Sequence, residues 1–141
     1  MCLLELHDKE QYAKGGYGYK VFRKHKGTGE LRNLFEFIGD CSTYEIGKKY
    51  VDKKTGKLNL WNERQEYPTG YHILANKDYA LSIAKWSNER YRDNYNYVVI
   101  KVSYRSLMAV GVDGSDGENH YDVDADTTVI VARTMTLIEE V

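Results

Sequence analysis

Only one stretch of this chain, Lys77 to Ser87, spaces its apolar residues as a helix requires. Tyr79, Ala80, Ile83 and Ala84 fall on one stripe. Asn76 stands ahead of them as a cap, and Asp78 in the first turn suits the helix dipole. Nearly all the remaining apolar residues sit in short alternating or β-branched runs between turn signals. That pattern predicts an α+β fold: a single domain over residues 1–141, mostly antiparallel sheet of about seven strands, with one main helix. A chain of 141 residues with 42% hydrophobic residues is long and apolar enough to bury one core.

The expected strands follow in order. Residues 1–16 read as a loosely attached lead-in closed by Gly15-Gly16. Gly18 to Lys24 alternates, with Tyr19, Val21 and Arg23 on one face and Lys20, Phe22 and Lys24 on the other. Lys26 to Gly29 is a hairpin-like turn, and Leu31 to Ile38 resumes as strand with Phe35 and Phe37 on one side. Tyr44 to Val51 is one extended piece. Leu58 to Trp61 leads into a polar loop ending at Pro68. Tyr71 to Ala75 is extended, and Ser87 to Asn96 is loop or frayed helix. Tyr97 to Tyr104 is the strongest strand, with Lys101, Ser103 and Arg105 sharing a face; Leu107 to Val112 continues or bends it. Asp113 to Asp126 is an acidic loop. Thr127 to Ala132 and Thr134 to Ile138 close the chain as one long strand or two broken ones.

Several classes of chemistry lack the residues they need. Asp122-x-Asp-x-Asp126 imitates half a calcium loop, but Thr127 replaces the required glycine and Arg133 the closing glutamate. His7, His25, His72 and His120 show no metal-ligand spacing. Cys2 and Cys41 fit no disulfide framework and read as free thiols in a reducing cytosol. Nucleophile elbows and P-loops are missing. No cofactor, metal site or catalytic set is therefore expected. Leu3-Leu4 is too short for a signal peptide, and no run approaches a membrane span, so a cytoplasmic protein without a membrane partner is expected. The net charge of −1 supplies no global field for DNA, so any anion site must be a local basic cluster.

The chain carries thirteen tyrosines against three phenylalanines. Tyrosine offers a flat apolar face and a polar tip, which suits base stacking, interfaces and half-exposed sheets alike. Basic residues stand beside aromatic ones at Tyr19-Lys20, Phe22-Arg23 and Tyr104-Arg105, pairing a phosphate donor with a stacking face. Tyr71 and His72 end a strand that feeds the helix capped by Asn76, and helix N-termini favour anions. The candidate ligand-binding set is Lys20, Arg23, Trp61, Tyr71, His72, Asn76 and Arg105. Tyr71 and Trp61 would stack on bases; Lys20, Arg23 and Arg105 would meet phosphates; His72 and Asn76 would read base or ribose edges.

The order Tyr19-Lys-Val-Phe-Arg23, Gly70-Tyr-His-Ile, an alanine-containing helix, Val98-Val-Ile-Lys-Val102 and Val129-Ile-Val-Ala-Arg133 resembles the ADP-ribosyltransferase-like folds. In that comparison Arg23 and Tyr71 take the first two strand positions. The late catalytic glutamate is missing, because the chain has Asp126-Thr127-Thr128 there. The same order, over roughly residues 17–139, is similar to small phage proteins that sequester cyclic-nucleotide immune signals, with the anti-CBASS protein 4 family as nearest likeness. That resemblance implies a viral immune-evasion sponge in the cytoplasm of an infected bacterium. It would bind a cyclic dinucleotide or related cyclic nucleotide without turning it over. Enclosing such a ligand is easier between subunits, so a homo-oligomer is expected. Two other classes stay open: a transferase-like or nucleotide-cleaving enzyme using His72 with Glu45, Glu66 or Asp78, and a protein–protein inhibitor.

Overall fold

The computed structural model describes residues 3–34, 42–53, 56–60, 65–113 and 126–141. The α+β reading holds. Ten strands and one α-helix are described: β1 (Leu3–Leu6), β2 (Gly16–His25), β3 (Leu31–Asn33), β4 (Thr43–Tyr44), β5 (Lys49–Val51), β6 (Lys57–Asn59), β7 (Glu66–Pro68), β8 (Tyr71–Leu74), α1 (Lys77–Arg90), β9 (Tyr95–Asp113) and β10 (Thr128–Glu140). Eight of the strands form one antiparallel sheet, and β6 pairs with β7 separately.

Two long strands organise the sheet. β9 pairs with β10 from Ile100–Glu140 to Val112–Thr128. Its other edge takes β2 along Tyr95 to Tyr104 and β1 along Gly111 to Asp113. β10 in turn takes β8 opposite Val129 to Ala132 and β5 opposite Thr134 to Thr136. β8 then returns to β2 where Leu74 faces Tyr19. The circuit β2, β9, β10, β8 and back to β2 therefore closes, and the sheet has an inside and an outside.

Alternation then sorts the side chains. Phe22, Ile73, Ile100, Val102, Ile130 and Leu137 form a core cluster drawn from strands alone, which is the inner face. Val21, Leu74, Tyr97, Val99, Val129 and Val131 belong to a second cluster with Tyr79, Ala80, Ile83 and Ala84 of α1, which is the outer face under the helix. Both faces of β9 and β10 are thus buried over much of their length, which is why their sequences run to continuous valine and isoleucine. The ring is tight at Gly18: a Cβ there would collide with Ile73 Cγ2 and lie 3.0 Å from the Leu74 carbonyl oxygen. Glycine lets β2 and β8 approach that closely.

Local chemistry explains the differences from the sequence reading. Residues 3–6 are not a loose lead-in; Leu3 is fully buried and its strand lengthens the sheet beside β9. The piece from Tyr44 to Val51 splits into β4 and β5, because Gly47 turns with φ 90°. The helix runs on to Arg90, where Tyr91 N–H closes the last turn on Ser87. As expected, Leu107 to Val112 continues β9 past Tyr104, with a bend: Ser106 takes φ 58° and the register shifts opposite Val131 and Ala132. β10 is one strand with two such shifts, not two strands. Phe35, Phe37, Trp61 and most of the acidic loop lie outside the described residues.

Candidate functional site

Lys20 sits on β2 between Gly18 and Phe22, so its side chain goes to the inner face. Its ammonium donates to the backbone carbonyl of His72 at 2.9 Å. Among the described residues it has no other hydrogen bond and no carboxylate within ion-pair distance. Desolvation by burial alone brings its pKa from 10.5 down to about 8. An ammonium carries three donors. A buried cation normally has a counter-charge or shifts toward neutrality. Lys20 shows the shift and lacks the counter-charge.

The inner face that Lys20 shares is rich in tyrosine. Tyr44 and Tyr104 are buried there, and Tyr12, Tyr50 and Tyr71 pack against the same cluster half-buried. The Tyr44 ring lies 5.3 Å from Phe22 and 4.8 Å from Tyr50. The phenols are placed by hydrogen bonds: Asn33 Nδ2 donates to Tyr44 Oη at 2.9 Å, and Glu45 N–H donates to Tyr50 Oη at 2.7 Å. Burial, with the nearby Tyr12, pushes the Tyr104 phenol up. The tyrosine surplus is therefore partly an inner-face feature. A ring with a polar tip fills a strand-lined interior and still offers hydrogen bonds there.

His72 contributes its carbonyl to Lys20, but its ring is engaged elsewhere. Nδ1 lies 3.2 Å from the Gly70 carbonyl, which only accepts, so Nδ1 carries the proton. Nε2 then accepts from the Tyr67 hydroxyl at 3.0 Å. That hydroxyl accepts in turn from Leu3 N–H at 3.2 Å. Both ring nitrogens are committed to holding β1 and β7 beside β8. Burial, and then the charge of Lys20, lower the His72 pKa from 6.5 to about 3, so the ring is neutral. Glu45, Glu66 and Asp78 are exposed, and none of them bonds to His72.

The other candidates do not converge on Lys20. Tyr71 shares the inner face, as noted. Arg23 lies on the opposite face of β2, where Nε donates to the Asn33 carbonyl at 2.9 Å and the guanidinium covers the Tyr95 ring at 4.7 Å. Asn76 caps α1, its Oδ1 accepting from Tyr79 N–H at 2.8 Å. Arg105 is exposed on the outer face, opposite Thr134. Trp61 lies outside the described residues. The sequence reading missed Tyr12, Tyr44, Tyr50 and Tyr104 as residues of the inner face. Pairing of β2 with β9 places Tyr104 on the Phe22 face, and pairing of β4 with β3 and of β5 with β10 brings in Tyr44 and Tyr50. Among the described residues no group of three His, Cys, Asp or Glu side chains is placed to hold a metal ion. No helix among them is long and apolar enough to cross a membrane.

No protein-family model, curated protein or solved structure matches this chain.

Proposed function

We propose that the protein binds a small anionic nucleotide on its inner face, without catalysis, and acts as a sponge for a cyclic-nucleotide signal in a phage-infected bacterium. The observation that carries this reading is Lys20: a half-buried, desolvated ammonium with one carbonyl partner and, among the described residues, no carboxylate. A ligand phosphate supplies the missing charge. The tyrosines of the same face supply stacking surfaces and hydroxyls. A charge-assisted hydrogen bond contributes about 1.5–3 kcal/mol, and a stacked base about 1–3 kcal/mol. Sequestration rather than turnover is supported by His72, whose two ring nitrogens are already engaged. Exposed Ile46, Leu81 and Tyr91 are apolar surface for a second subunit. The proposal includes a homo-oligomer, which light scattering tests against the 16.3 kDa chain.

The experiment is a thermal-shift screen with cyclic dinucleotides, cyclic trinucleotides and cyclic ADP-ribose isomers, followed by heat release and chromatography of any ligand that shifts the melt. Ligand at about 100 times its dissociation constant adds about 2.7 kcal/mol of stability. The proposal expects a shift and recovery of the ligand intact. Recovery of an altered ligand makes the protein an enzyme. No shift with any of the three classes removes the nucleotide reading.

A further inference from the structure

The outer face of the sheet is not all under the helix. α1 packs over Val21, Tyr97 and Val99, at one end of β2 and β9. Beyond that end the same face continues across β2, β9, β10 and β5 in defined register. One row runs Tyr17, Ser103, Thr136 and Lys49. The next runs Arg105, Thr134 and Val51. On the other side Tyr19 faces Lys101, which faces Glu139. Tyr17 is 65% exposed, and the Lys101 ammonium stands 4.8 Å from its ring centroid.

The chemistry of this patch differs from that of the whole chain. The molecule has a net charge of −1, yet among the described residues in register here Lys49, Lys101 and Arg105 are opposed only by Glu139. None of the three cations has an ion pair among the described residues. The hydroxyls of Ser103, Thr134 and Thr136 occupy the middle of the patch, and no protein hydrogen bond takes them up among the described residues. Four strands span about 14 Å, the width over which a four-stranded RNA-binding sheet stacks two or three bases. An exposed ring held by a cation is a stacking platform, and flanking Lys and Arg track a backbone.

We propose that this outer face binds single-stranded RNA. Tyr17 stacks on a base. Lys101, Arg105 and Lys49 contact phosphates on either side of the ring. The hydroxyl row of Ser103, Thr134 and Thr136 meets ribose 2′-hydroxyls, which is what selects RNA over DNA. This site is independent of Lys20, which lies on the inner face.

The test is fluorescence anisotropy of a labelled oligouridylate, and of the matching deoxy-oligonucleotide, titrated with the full chain between about 50 and 200 mM salt. Three phosphate contacts predict a log–log salt slope of about −2 for a single strand, and Lys101→Ala with Arg105→Ala brings it to about −0.7. Tyr17→Ala weakens binding roughly 5- to 150-fold, the equivalent of one lost base stack. All of these side chains reach solvent, so the variants keep the wild-type melt. Lys101→Glu with Arg105→Glu abolishes binding, and Lys20→Met leaves it unchanged. No binding at the lower salt, equal affinity for the deoxy strand, or full affinity in Tyr17→Ala each overturns the proposal.

Discussion

Burial lowers the pKa of Lys20 and of His72, and the two shifts act in different pH windows. For Lys20 the folded value is about 8 and the ordinary value 10.5. Between those values the unfolded chain binds more protons, so stability rises with pH; below about 8 the penalty of the buried charge is fully present. Lys20→Met is therefore expected to stabilise the protein at neutral pH, on the order of 1–3 kcal/mol, and to remove the alkaline rise. Urea melts of both proteins at neutral pH and near pH 10 check this; a Met variant less stable at neutral pH contradicts it. His72 titrates at about 3 folded against 6.5. Stability is lost as pH falls from about 6.5 toward 3, because the unfolded chain takes the proton. His72→Gln is expected to flatten that acid limb relative to wild type. Of these two residues, sequence marked both as ligand contacts. Only the paired strands show that Lys20 turns inward while the His72 ring turns outward to Tyr67.

At the scale of single elements, the start and buried stripe of α1 were legible because their signals are local, whereas its last turn, to Arg90, was not. Asn76 caps it as the sequence predicts. Asn76→Ala is expected to cost about 1 kcal/mol, read by thermal or urea denaturation, with no change in ligand affinity, since the side chain is occupied by Tyr79 N–H. That Leu107 to Val112 continues or bends β9 was legible, but the position of the bend was not. Ser106 at φ 58° carries no glycine or asparagine signal, and the shift is set by β10 across from it. β1 was missed for the same reason: four residues show no periodicity, and Leu3 is ordered by long-range contacts with β9 and Tyr67. Gly18 was legible as the start of the β2 run, but not as the point where β2 and β8 meet. Gly18→Ala is expected to destabilise severely, through the clash with Ile73 and Leu74. A wild-type melting curve for that variant contradicts the closed ring.

For the whole molecule, strand alternation predicted the α+β class, and the sheet has eight strands against about seven expected. Closure was beyond the sequence, because β2 and β8 meet through a single ladder pair, Tyr19 with Leu74, 55 positions apart. Closure also gives the sheet its inside. The inner face carries Lys20 and tyrosines from five parts of the chain, while strand alternation sends Arg23 and Arg105 to the outside. The account therefore rests on Lys20 acting from that interior. The most direct measurement is the ligand-induced melting shift of wild type and of Lys20→Met, at neutral pH, with the same cyclic nucleotides. The account predicts a shift in wild type that is lost in a variant at least as stable without ligand. An equal shift in both proteins contradicts it.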